Sequence, residues 1–207
     1  MGVLVVLVII LVSMTLHELA HGYVAYILGD LTAKEDGRLT LNPLKHLDPI
    51  MSLVLPIVSY LMGGVVFGGA KPVPVNTRNL KGGAWGMAAV ALAGPLTNLL
   101  LALAAFLVGH YLGMLYGGGF WRDLMLDVIF INLGFGVFNM IPIPPLDGSR
   151  VLYVLMPDVI RGVMERMERI GLVVVYVLIF LGGGIFSSYM STAINAILDG
   201  FYWIVGA

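Results

Sequence analysis

Residues 3–28 read VLVVLVIILVSMTLHELAHGYVAYIL, apolar throughout except for Ser13, Thr15 and the cluster His17, Glu18 and His21. A run of this length can cross a bilayer as a tilted helix. Inside it, His17-Glu18-Leu19-Ala20-His21 forms an H-E-x-x-H pattern. On a helix, positions four apart lie about 40° from each other, one turn along. Both imidazoles can therefore reach one tetrahedral divalent ion. Glu18, beside the first histidine, is placed to take a proton from water and hand it to a leaving amine. Three ionisable side chains in one turn, roughly 12–18 Å from the end of the run at about 1.5 Å per residue, are costly within a membrane. They mark a functional site by default. The bland alternative is a pair of packing histidines beside a buried glutamate.

The composition agrees with a membrane protein. Of 207 residues, 59% are hydrophobic and only 11% are charged, against about 25% charged in a soluble domain. A net charge of -1 and the lack of a basic run give no footprint for nucleic acid. There are no cysteines, so no disulfide framework exists and a metal must be held by His, Asp or Glu. The first run has neither a basic leader nor a small-residue cleavage site, and reads as a retained helix rather than a signal peptide.

Outward from the first helix, the chain reads as one domain, 1–207. Residues 30–82 form a polar loop, a re-entrant stretch and an extended segment. Leu39-Thr40-Leu41 alternates as a short strand does, and Lys71-Pro-Val-Pro-Val-Asn76 suits an extended edge. Helices follow at 84–111 and 124–148, the second ending in a proline cluster at Pro142, Pro144 and Pro145 that must break it. An interfacial loop at 150–169 and C-terminal helices at 170–207 complete the chain. The expected fold is an all-α, multi-pass bundle of about four to six transmembrane helices, with a small re-entrant or β segment between the first two core helices. Whether 190–205 crosses or lies flat is open, and Gly182-Gly183-Gly184 reads as a hinge or as close helix packing, with packing preferred.

Loop charge favours re-entry over a full crossing at 50–70. Re-entry leaves ten of the 11 Lys and Arg on one side with Arg122 alone on the other, whereas a crossing divides them four to seven. In that topology the active site faces the cytoplasm.

A third ligand is needed. Position 27 is Ile, so the third histidine of the extended soluble motif is absent. Glu35, Asp36 and Asp48 are possible. Asp147 is preferred, because it follows a broken membrane helix whose freed backbone must face protein or a cavity. With re-entry at 50–70, the helix from Leu124 runs outside to inside and brings Asp147 to the same side as His21. Asn98, inside the 84–111 span, reads first as a hydrogen-bonding partner of a neighbouring helix. A substrate contact is its second reading.

His17-Glu18-x-x-His21 together with Asn139-x-x-Pro142-x-Pro144-x-x-Asp147-Gly148 resembles the site-2 protease family of intramembrane metalloproteases, over nearly the whole chain. Gly94-x-x-x-Asn98 resembles a further recurring element of that family. The resemblance implies Zn2+ held by His17, His21 and Asp147, Glu18 as catalytic base, and Asn139 near the metal helping to hold the substrate backbone or oxyanion. It implies a transmembrane protein substrate cleaved within or near the lipid bilayer of the cell membrane, and a segment between the first two core helices that pairs with unwound substrate. Either 71–76 or 63–69 is expected to provide that edge. No space for a PDZ domain lies between Leu112 and Asp123, and no nucleotide-sensing domain follows the last span, so a minimal core is expected. The competing reading from another class is a zinc-binding or zinc-transporting membrane protein without protease activity. Glu18 within the motif argues against it, as does the absence of polar residues over 3–12.

Overall fold

The structure is a computed structural model that describes residues 2–48 and 70–206. Helix α1, Val3–Ile27, is followed by the short α2, Thr32–Glu35, and a single 3-10 turn at Pro43–Lys45. After an extended stretch come α3, Ala84–Tyr111, and α4, Phe120–Asn139. Then α5, Asp147–Leu155, α6, Asp158–Arg169, and α7, Gly171–Val205, complete the chain. No strand occurs among the described residues, and the protein is an all-α membrane protein. The re-entrant reading of 50–70 and the alternative edge at 63–69 fall mainly or wholly outside the described residues.

Helices α1 and α3 are long and apolar enough to cross a bilayer. A third crossing is added if Val173–Ile179 and Gly182–Val205, bent by 82° to each other, form one broken span. The lipid-facing nature of α1 is visible in its side chains. Leu4, Leu7, Val8 and Val12 are exposed, whereas Ser13, Thr15, His17 and His21 are buried. In water this would be inside out; in hydrocarbon it places polar groups where protein can satisfy them.

Helix α3 is the central element and packs against α1, α4 and α5. One apolar cluster, Ala102, Phe106, Ile129, Leu133 and Phe201, joins α3, α4 and α7. A second, Ala25, Leu80 and Val90, fixes the end of α1 against α3. A third, Ile141, Leu146 and Val175, seats the proline-rich turn on α7. Small residues allow the close approach: Gly22 of α1 has Leu39 and Val73 pressed over it, with no space for a methyl group.

Four segments differ from the sequence reading. Residues 39–41 form bends rather than a strand, because Thr40 turns its N–H to the Arg38 carbonyl and its own carbonyl to the His46 ring. The helix expected over 124–148 stops at Asn139, and Asp147 begins a new helix. The stretch expected as an interfacial loop, 150–169, is largely helical, as the end of α5 and all of α6. Gly183 has φ 42 and ψ -120, outside the helical region, so the glycine triplet makes a kink rather than simple close packing.

Candidate metal centre

The site begins with a missing side chain. Helix α1 turns His17 and His21 toward α3, where Gly94 faces them. A Cβ at position 94 would stand 2.5 Å from His17 Cε1 and Nε2 and from His21 Nε2. Only glycine leaves room for both rings. Each ring is then fixed from behind: His17 Nδ1 donates to Asn98 Oδ1 at 2.6 Å, and His21 Nδ1 donates to the Val90 carbonyl at 2.7 Å. With both Nδ1 atoms carrying hydrogen, both Nε2 atoms present lone pairs.

The third group arrives from the proline break. Helix α4 ends at Asn139, the chain turns over 140–146, and Asp147 is the first residue of α5. Gly148 packs directly on the carbonyls of Met140 and Ile141, where no Cβ fits. Ser149 Oγ donates to the Leu146 carbonyl at 2.7 Å and tightens the same turn. The result sets Asp147 Oδ2 at 3.2 Å from His17 Nε2 and 3.3 Å from His21 Nε2, with the two Nε2 atoms 3.0 Å apart.

Three electron-pair donors therefore point at one another with no hydrogen between them. Asp147 Oδ2 is buried and has no hydrogen-bond partner. With both rings neutral, such an arrangement is relieved by a positive charge among the three atoms, a proton on one Nε2 or a metal ion. Four tetrahedral ligands at zinc-bond lengths of about 2.0–2.1 Å lie about 3.3 Å from each other. The observed spacings form one face of that tetrahedron, and nitrogen and carboxylate donors suit zinc. The residues fit the metal. Glu18 stands beside them, its Oε2 accepting the Val73 N–H at 2.8 Å.

The sequence is similar to those of known proteins. A family model described as "Peptidase family M50" matches residues 113–182. "Putative zinc metalloprotease YwhC" of Bacillus subtilis is 43% identical over 177 residues, covering 82% of this chain and 77% of that protein. The chain belongs to peptidase family M50, the site-2 proteases. "Putative zinc metalloprotease Rip2" of Mycolicibacterium smegmatis is 33% identical over 82% of this chain and 64% of its own length. "Zinc metalloprotease MJ0392" of Methanocaldococcus jannaschii is 28% identical over 72% of this chain and 33% of its own length. No solved structure matches. The protein is an intramembrane zinc metalloendopeptidase acting on protein substrates.

The remaining residues of this protease fall into place around the three donors. Among the described residues, His17, His21 and Asp147 are the one group of three that could hold a metal ion; Glu35, Asp36 and Asp48 are not part of it. Asn98 is fully buried, and both ends of its amide are engaged, Oδ1 with His17 and Nδ2 with Asn132 Oδ1 at 2.9 Å. That is the interhelical bonding expected of it. Asn139 does not join the converging donors: its Nδ2 donates to the Phe135 carbonyl at 3.1 Å on its own helix. Asn132, buried behind Asn98, escapes the motif reading altogether. Its signal is plain in retrospect, a lone amide in the apolar run Val128–Val137, two turns before Asn139.

Proposed function

We propose that this protease hydrolyses peptide bonds in transmembrane segments of other membrane proteins, with His17, His21 and Asp147 as zinc ligands and Glu18 as the catalytic base. The observation that carries the assignment is the meeting of two imidazole lone pairs with the otherwise unpartnered Asp147 Oδ2. When bound there, zinc supplies Lewis acidity and lowers the pKa of water at its open position.

The protein's own groups do the rest. Asn98 and the Val90 carbonyl hold the two rings in register. Glu18 takes a proton from the attacking water and returns it to the leaving nitrogen. Its bond from the Val73 N–H keeps the carboxylate at the edge of the extended segment 70–76. A substrate helix hides its carbonyls in its own hydrogen bonds and must unwind before attack. Pairing along 71–76 replaces some of those bonds next to the base. Asn139, at the end of α4, supports the substrate backbone or the developing oxyanion once its amide leaves Phe135. The chain crosses the cell membrane several times, with the active site toward the cytoplasmic side, as the charge of its loops indicates.

Glu18→Gln in purified protein tests the reading. It is expected to retain zinc at the unsubstituted stoichiometry and to lose cleavage of a membrane-embedded peptide by at least ~100-fold, the lower range of general acid–base contributions. Full activity in that variant would remove Glu18 from the chemistry.

A further inference from the structure

We propose that Asn132 is a positioning residue for the metal centre, fixing the tautomer of His17 through the amide of Asn98. This rests on His17 being a zinc ligand, as assigned above. The chain of bonds starts at a backbone carbonyl. Val128 O can only accept, and Asn132 places its side chain on it at 2.8 Å. The nitrogen of Asn132 must therefore face Val128, which turns its Oδ1 toward Asn98. Asn98, 2.9 Å away, must then present its Nδ2, which turns its own Oδ1 toward His17. At 2.6 Å, an oxygen facing His17 Nδ1 requires that nitrogen to carry the proton. The Nε2 lone pair is thereby aimed at Asp147 and His21.

The polarity is set at one end only. Remove Asn132, and the Asn98 amide can turn over, offering nitrogen to His17 Nδ1 and moving the ring proton to Nε2, where it blocks metal binding. His21 needs no such relay, since its Nδ1 faces a backbone carbonyl directly. Asn98 and Asn132 are essentially inaccessible to solvent, so both bonds are made between protein groups. A cavity of about 220 Å³ beside Asn132, lined also by Leu133, Tyr189 and Ile197, contributes one further polar side chain at most, the Tyr189 phenol. Partners of metal-ligating histidines typically matter 10- to 100-fold in metal affinity.

The experiment is nitrogen NMR of ring-labelled histidine in metal-free protein, with His17 assigned by its loss in His17→Gln, alongside zinc affinity by competition with a chelating dye. In the unsubstituted protein His17 is expected as the Nδ1–H tautomer. Asn132→Leu, and Asn132→Ala as a second variant beside the cavity, are expected to give a mixed tautomer and about 10-fold weaker zinc binding. Asn98→Asp offers only acceptor oxygens to His17. In that background Asn132→Leu should change neither tautomer nor affinity. The proposal is overturned if His17 is Nε2-protonated from the start, or if Asn132→Leu leaves its tautomer pure. It is also overturned if affinity falls equally in both backgrounds, which is a packing effect. The metal-free spectrum reads the relay without substrate or zinc. A failure of the metal-centre reading would show separately, as absence of zinc binding by the unsubstituted protein.

Discussion

At position 94 the difference between a hydrogen atom and a methyl group separates a metal site from a clash. The two imidazoles are held from behind by Asn98 and Val90, so neither can retreat freely from a Cβ only 2.5 Å away. Gly94→Ala must either push α1 from α3 or swing a ring off its donor. Overpacking of this kind costs about 1–3 kcal/mol in a packed core, but the larger effect falls on geometry. Zinc affinity is expected to drop at least ~10-fold, while Gly117→Ala, where nothing lies within 4 Å, leaves it unchanged. Equal zinc affinity in the two variants would mean that the rings do not sit against Gly94. The H-E-x-x-H spacing makes His17, Glu18 and His21 legible from sequence, because helical periodicity alone puts the histidines on one face. The function of Gly94 is not legible that way, since its contribution is empty space that exists only once α3 lies against α1. Asn132 is missed for a related reason: its value comes from a partner on another helix.

The segment 70–81, extended over 70–76 and turning over 77–81, is held largely by side chains rather than by a sheet. Arg38 donates to the Lys71 carbonyl at 2.7 Å, Glu18 accepts from Val73, and the Lys81 N–H reaches the Leu28 carbonyl at 2.8 Å. Asp30 is the main anchor. Its carboxylate accepts the Asn76 N–H at 2.6 Å, the Asn79 amide at 3.1 Å, and both the N–H and hydroxyl of Thr32. Burial pushes the pKa of Asp30 up, but the bonds from Thr32, Asn76 and Asn79 together hold it below the usual carboxylate range. A carboxyl whose folded pKa lies below its unfolded value stabilises the fold above the unfolded pKa, and that contribution disappears as pH falls through the folded value. Asp30→Asn turns an amide nitrogen toward donors that need an acceptor, and is expected to cost about 1–3 kcal/mol at neutral pH. Thermal unfolding of both proteins should show the gap closing below about pH 4, the ordinary aspartate range. A gap independent of pH would exclude the carboxylate as the anchor. Prolines at 72 and 74 make this segment readable as extended, yet its anchors lie 33 or more positions away and cannot be read locally. The opposite error occurs at 158–169, where abundant charge reads as a loop. There Met164 is buried while Arg161 pairs with Asp158, and the two-sided character belongs to an amphipathic helix.

For the whole molecule, the metal centre ties the first helix to a short helix that begins more than a hundred residues later. Apart from Gly94, Val90 and Asn98 on the central α3, His17 and His21 meet Asp147 only through the gap that a cation would fill. Without one, the ion that would join α1 to α5 is missing, and α5 is held by its packing on α3. The apolar cluster of Ala102, Phe106, Ile129, Leu133 and Phe201 lies on α3, α4 and α7 and includes no ligand. Metal binding should therefore stabilise the molecule unevenly. A ligand that binds only the folded state at about 1,000 times its Kd adds about 4 kcal/mol. In detergent-solubilised protein, chelation is expected to lower the Tm and to speed hydrogen exchange first in α1 near His21 and in α5, with the amides around Phe106 and Ile129 protected longest. Asp147→Asn should lose most of the zinc-dependent rise in Tm, because it removes the one ligand from outside α1. Glu18→Gln should keep that rise in full, because its carboxylate is bonded to Val73 and stands outside the three converging donors. If Asp147→Asn gains as much stability from zinc as the unsubstituted protein, the ion is held elsewhere and α5 is not its third support. If the two variants respond alike, base and ligand have not been separated, and the division of labour between neighbouring residues 17 and 18 fails with it.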